Sequence, residues 1–350
     1  MGNTQDLLNE VRAQLAPSDE ALDEARKRRA IVTDAALGFP GSLRAFNSGS
    51  LAHKTANCPI HHRDRGLDAD CGVVLDRRRY PQLGPDGSNL GPNEIVQLML
   101  SDITGKVRVE YPQARLKVTK RAILIEPRSP LSTGEDPTVD LIVALDRHLA
   151  PGLWIPNTEQ RRWDASDPEE HTRLLTAEPK ALRVTRAQSI RLAKAENKRT
   201  DTVPLCSFNL EALALMFVHQ GQGLPRALLA LWQDGAADLR RRLTPDPANV
   251  SGPINVEDRS YAAERLEFAA ARLQAAISHD YDDARVRSEL QQLWPEFIAA
   301  SDGLMSKAQI AASQIGGAGI AWPSVGSSGG LTVAGATEVP RVRSFGDARR

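Results

Sequence analysis

An α/β (α+β) chain of two lobes is the fold class that the sequence predicts: a lobe built on a mixed sheet, then a helical C-terminal lobe. Three observations carry that prediction. Between residues 67 and 156, apolar runs of strand length dominate: LDADCGVVLD, ARLKVTK, AILIEP, TVDLIVALD and LWIP. From residue 166 the pattern changes to long helical stretches. The 350 residues are also enough to give two lobes an ample core, and no internal repeat is visible.

Taken in order, residues 18–37 (SDEALDEARKRRAIVTDAAL) read as a long helix. Ser18 is its N-cap, acids fill its first turn, and FPGS breaks it. LAHKTAN forms a short helix that Pro59 stops. One amphipathic helix, roughly 93–107, interrupts the strands, with Ile95, Leu98, Met99, Asp102 and Ile103 at helical spacing. The stretch 80–93 (YPQLGPDGSNLGPN) is a surface loop by its Gly, Pro and Asn content. SDPEEHTRLL opens the helical half: Ser166 or Asp167 caps, Pro168 sits in the first turn, and Glu169 and Glu170 meet the positive end of the dipole. Helices follow at 180–199, 207–219, 224–243, 256–278 and 282–314. The last 36 residues are rich in Gly, Ser and Ala and read as a flexible tail. The expected division is therefore 1–165, a first lobe with an N-terminal spine helix; 166–314, a helical lobe; and 315–350, the tail. A cleft between lobes is a natural ligand site.

Bulk composition excludes several classes. Lys and Arg number 44, as do Asp and Glu, so no global field favours nucleic acid or membrane. No apolar run has the length of a membrane span, the N-terminus lacks a signal-peptide hydrophobic region, and Asp6 breaks the acylation pattern of a Met-Gly start. Three cysteines make no disulfide framework. The expectation is a cytoplasmic enzyme or binding protein. A zinc site from Cys58, His61, His62 and Cys71 is set aside, because the spacing is irregular and Cys71 reads as a buried apolar residue. His171 is expected to pack or cap near the lobe junction, and Trp154 and Trp163 to fill the core or that junction.

The chemistry is carried by carboxylates. Asp68 and Asp70 leave one face of a strand, because side chains alternate with period two. Placed so close, they repel each other and resist burial unless a strong cation lies between them. Mg²⁺ suits such a site, taking oxygen ligands from carboxylates and phosphates. Asp140, on the apolar strand TVDLIVALD, supplies a third acid, whereas Asp76 and Asp146 read as strand-exit residues. Three such acids on adjacent strands fit two metal ions in an in-line phosphoryl displacement. Gly49 lets a phosphate approach the backbone, and Ser50 offers a hydroxyl. SGSLAHKT is not a P-loop, since Ser48 and His53 stand where its glycines belong. Residues 183–199 hold Arg183, Arg186, Arg191, Lys194, Lys198 and Arg199 against Glu196. That run is either a solvated helix face or a partner for a triphosphate.

With NSGS, LDADCGVVL and TVDLIVAL in place, the chain resembles the polymerase-β-type nucleotidyltransferase superfamily. It is most similar to the branch of oligoadenylate synthases, cyclic GMP-AMP synthase and the bacterial cyclic-oligonucleotide synthases of phage defence. LWIPNTEQRRWDASDPEEH, SIRLAKAENKR…PLCSFNLEALAL and TPDPANVSGPI extend the likeness over most of residues 30–265. The resemblance implies a polymerase-β-like lobe, a helical lobe and an active site in their cleft. It implies Asp68, Asp70 and Asp140 as ligands of two Mg²⁺ or Mn²⁺ ions, and Gly49 and Ser50 as the triphosphate cradle. Lys194 and Ser207 become further phosphate contacts. Nucleoside triphosphates are the implied substrates, and a cyclic or linear oligonucleotide messenger is the product. Glu196 and Asn197 depart from the family, where an aromatic and a polar residue are common, and the Ser50–Asp68 spacing is long. Two alternatives stand beside this: a nucleotidyltransferase acting on RNA or protein, and a catalytically silent nucleotide sensor. No zinc ribbon or broad basic face supports a nucleic-acid activator. The resemblance allows protein partners attached through the tail, but SFGDARR carries no independent sign of them, and a free linker or tail is the expected reading.

Overall fold

The computed structural model describes residues 2–59, 66–87, 91–177, 179–200 and 202–299, with the backbone of residues 324–325 and 331–332. The apolar runs form a seven-stranded mixed sheet: β1 (Ser42–Ser48), β2 (Asp68–Leu75), β3 (Arg115–Val118), β4 (Ile123–Glu126), β5 (Thr138–Asp146), β6 (Leu153–Asn157) and β7 (Arg162–Ser166). Its order is β1-β2-β5-β4-β3, and β6 pairs with both β5 and β7. The β2–β5 pair is parallel and the other pairs are antiparallel. These two central strands are the most apolar, as expected for strands buried on both faces.

Alternation along β2 and β5 divides the sheet into two unlike surfaces. Ala69, Cys71, Val73 and Leu75 join Val139, Leu141, Val143 and Leu145 in one core. Helices α2 (Asp19–Leu37) and α4 (Asn93–Glu110) cover it with Ala21, Ala25, Val32, Ile95, Met99 and Ile103. Residues of the other parity, Val74, Ile142 and Ala144, face the opposite way beside Phe46 and Ile155. Asp68, Asp70 and Asp140 share that second surface by period two. Arg28, 1% exposed, fixes the start of β5 from below. It donates to Asp136 Oδ1 at 2.5 Å, to the Pro137 carbonyl at 2.6 Å and to Glu24 Oε1 at 2.8 Å.

The second lobe contains α5 (Pro168–Thr176), α6 (Lys180–Asn197), α7 (Ser207–Phe217), α8 (Leu224–Arg241), α9 (Arg259–Ser278) and α10 (Asp283–Gln291). Its core packs around Trp232 and Trp294, whose ring centroids are 5.9 Å apart. Helix α1 (Asn3–Gln14) inserts Leu7, Leu8 and Val11 into this core, and the Thr4 amide donates to Asp280 Oδ1 at 2.7 Å. Residues 3–14, which the expected division assigns to the first lobe, thus pack in the second, because their apolar stripe is buried there.

The capping expectations are met by direct bonds. Ser18 Oγ accepts from the Ala21 amide at 3.1 Å, and Asp167 Oδ1 from the Glu170 amide at 2.8 Å. The helix expected over 282–314 ends early: α10 stops at Gln291, and residues 292–299 run through turns past Pro295, which cannot continue a helix. Residues 300–314 lie outside the described residues, as do His61 and His62. So does most of the expected tail, apart from a two-residue ladder, Ser324–Val325 with Leu331–Thr332. Among the described residues, no helix is long and apolar enough to cross a membrane.

Candidate active site

Strand register brings the acids together. In the parallel β2–β5 pair, Asp70 lies directly opposite Asp140, and Asp68 opposite Thr138. On the other side, antiparallel β1 sets Ser48 opposite Asp70, so Gly49 begins α3 (Gly49–His53) beside that carboxylate. Asp70 and Asp140 are each 8% exposed, while Asp68 is exposed at the strand's mouth. The Thr138 hydroxyl donates to Asp68 Oδ1 and so steadies it.

Burial pushes the Asp70 carboxyl well above the usual carboxylate range. Repulsion from Asp140, Asp68 and Glu211 pushes the same way, and Lys194 pulls against it. A strand that gathers like charges around a buried acid is poised for a cation. The donors are carboxylate oxygens, which hard divalent ions such as Mg²⁺ prefer. These residues fit the implied metal pair.

Gly49 makes the tight approach feasible. Its φ is +70°, and a Cβ there would stand 1.7 Å from Asp70 Oδ2. Gly49→Ala is expected to cost at least about 1–2 kcal/mol from its left-handed backbone alone, and to displace Asp70 as well. Chemical denaturation checks the first effect, and divalent-ion affinity the second.

Behind the carboxylates lies a buried polar network. Glu211 on α7 accepts from Lys194 Nζ at 2.8 Å and from Thr55 Oγ1 at 2.8 Å through Oε1. Its Oε2 lies 3.1 Å from His53 Nδ1 and 3.1 Å from His171 Nε2. Lys194 also donates to Thr55 Oγ1 at 3.0 Å. Lys194 foremost, then both histidines, holds the Glu211 carboxyl well below its ordinary value despite its burial. Residues of α3 and the segment after it are thereby fastened to α5, α6 and α7 of the other lobe.

No protein-family model and no curated protein sequence matches the chain. Solved structures do. CdnG of Bradyrhizobium diazoefficiens, a CD-NTase in complex with GTP, aligns over 88% of this chain and 97% of its own, with a TM-score of 0.61 and 15% identity. CdnC of E. coli MS115-1, with ATP, aligns over 86% and 99%, with a TM-score of 0.60 and 16% identity. DncV of Vibrio cholerae, a di-nucleotide cyclase in a loop-deleted form, aligns over 85% and 97%, with a TM-score of 0.64 and 13% identity. The chain has the CD-NTase fold.

Within this CD-NTase fold the seven residues singled out from sequence fall into four places. Asp68, Asp70, Asp140 and Gly49 meet at one end of β1, β2 and β5. Ser50 follows Gly49 in α3, and its carbonyl accepts from the Thr55 amide at 2.9 Å. Lys194 reaches in from α6, close enough to Asp70 to favour its ionised form. Ser207, the first residue of α7, stands one helical turn before Glu211.

Other side chains of the CD-NTase fold take structural parts. Arg186 is 4% exposed and donates to the Val218 carbonyl at 3.1 Å, so a solvated face does not describe it or Lys194. Glu196 pairs with Arg265, and Asn197 Nδ2 donates to the Leu205 carbonyl at 2.7 Å, closing the α6–α7 connection. These contacts occupy the two residues that depart from the family pattern. Asp246 organises its loop by accepting from the amides of Ala248, Val250 and Ser251. Cys71 is fully buried, and burial pushes its thiol up to about 12. Trp163 packs in the sheet core, and Trp154 lies half-buried under Arg147. His171, expected to pack at the lobe junction, is 1% exposed there. Glu211, Thr55 and His53 escape the sequence reading. The available signal is Glu211, the one charge in the apolar helix SFNLEALALMF.

Proposed function

We propose that this chain is a divalent-metal-dependent nucleotidyltransferase that joins nucleoside triphosphates into a cyclic or linear oligonucleotide messenger. Its setting would be the bacterial cytoplasm, in antiphage signalling. The observation that carries the reading is the in-register pair Asp70–Asp140 with Asp68 at its mouth. The likeness to CdnG with GTP, and to DncV with the linear intermediate pppA(3′,5′)pG, supports it.

Asp68, Asp70 and Asp140 would hold two Mg²⁺ or Mn²⁺ ions. When bound, such ions acidify an attacking ribose hydroxyl and offset charge on departing pyrophosphate. The protein's own share is positioning. Gly49 presents bare backbone and Ser50 a hydroxyl to the donor triphosphate, aligning its leaving group with the carboxylates. Lys194, aimed by Glu211 and Thr55, adds positive charge near Asp70, and Ser207 a further hydroxyl. Burial of Asp70 and Asp140 keeps bulk water from competing with the acceptor hydroxyl.

The test is incubation with all four triphosphates and Mg²⁺ or Mn²⁺. Pyrophosphate release is expected, with a product that passes ultrafiltration and is identified by mass spectrometry. Asp68→Ala/Asp70→Ala should be silent, and equal turnover in that variant would end the reading. A label retained on RNA or protein would move the assignment to a macromolecular acceptor. Calorimetric triphosphate binding without turnover would identify a sensor.

A further inference from the structure

The cluster His53, His171 and Glu211 shares no residue with the three aspartates, although the charge of Glu211 is felt at Asp70, and the phosphoryl-transfer chemistry does not use its imidazoles. One nitrogen of each histidine and a Glu211 oxygen lie within 4.8 Å of one another, and all three residues are buried. They come from α3, α5 and α7, so both lobes contribute.

The hydrogen bonds around His53 admit two proton arrangements, and one of them leaves a place for a cation. Thr172 Oγ1 is 2.9 Å from the Pro168 carbonyl, its in-helix acceptor, and 2.9 Å from His53 Nε2. One hydroxyl proton serves one of these. Given to Pro168, it makes Oγ1 the acceptor of His53 Nε2–H, and the Nδ1 lone pair then faces Glu211 Oε2 at 3.1 Å. Two electron-rich atoms at that separation need a proton or a cation between them.

The geometry accommodates the cation. His171 Nε2 approaches the same Oε2 at 3.1 Å, so both imidazoles converge on one carboxylate oxygen, with the three atoms within 4.8 Å of one another. In a tetrahedral zinc site with bonds of roughly 2.0–2.1 Å, neighbouring donors stand about 3.3 Å apart, close to both separations here. Outer partners of the kind metal ligands use are in place for two of the three ligands. Thr172 holds the far nitrogen of His53, and Thr55 and Lys194 hold the far oxygen of Glu211. Imidazole and carboxylate together suit zinc rather than magnesium. The aspartates of the neighbouring site supply negative charge that offsets the ion beside Lys194.

We propose that His53, His171 and Glu211 bind one Zn²⁺-class ion that pins α3 to the helical lobe, separately from the aspartate site. This proposal does not rest on the catalytic reading. The full chain is stripped with chelator and supplied with Zn²⁺, and affinity is read by competition with a chromophoric chelator. One equivalent should bind. His53→Gln and His171→Gln should each weaken it by about 100-fold, and Thr55→Val by about tenfold. Asp68→Ala/Asp70→Ala should retain it. With Co²⁺ in place of Zn²⁺, the wild-type chain should show the strong visible absorption of a four-coordinate site. Failure to hold an equivalent, affinity unchanged in both histidine variants, or no such Co²⁺ band would show a junction closed by protons alone. The Co²⁺ band decides on the wild-type chain even where the histidine variants do not fold.

Discussion

Asp70→Asn is expected to abolish pyrophosphate release, by about three orders of magnitude or more, and yet to make the divalent-free protein harder to melt. The sign follows from the raised Asp70 carboxyl. Between the ordinary carboxylate value and that raised one, the folded chain binds the proton that the unfolded chain releases. Stability therefore falls as pH rises through the window, and the loss is complete above it. Asparagine keeps the shape and removes the charge facing Asp140, Asp68 and Glu211. In EDTA the variant should melt higher than the wild type at neutral pH. The two melting curves should converge below the ordinary carboxylate range, and Mg²⁺ should raise the wild type selectively. A lower Tm for the variant in EDTA at neutral pH would show that Lys194 outweighs the three acids.

Glu211→Ala carries the largest expected loss of stability. Lys194 is 6% exposed, and Glu211 is its counter-ion at 2.8 Å. Removing the carboxylate strands a buried ammonium and deprives Thr55 and both histidines of their shared partner. Breaking such a pair costs about 3–5 kcal/mol. Urea denaturation checks it, and a change below about 1 kcal/mol would mean that Lys194 escapes to solvent. Glu211→Gln, which keeps an acceptor, should recover part of the loss.

Much of this site is legible in the sequence because strands are simple. Period-two alternation puts Asp68 and Asp70 on one surface, and an acid near the start of an otherwise apolar run marks Asp140. Local chemistry likewise reveals the Ser18 and Asp167 caps. The buried network is less visible, since its members stand far apart: Thr55 and Glu211 are separated by 156 positions. Nothing local says that His53 will meet His171, or that Arg186 in a basic run will go inside. The placement of α1 is hidden for the same reason, because its partners are helices from the far end of the fold. Helix 282–314 is read too long where periodicity is allowed to override Pro295.

The β2–β5 pairing has a consequence for synthesis on the ribosome. Asp70 meets Asp140 only after the intervening helix and hairpin have been made and the two strands have found each other, a slow, long-range step. Lys194 and Glu211 emerge later still. A nascent or prematurely released fragment therefore lacks the assembled centre.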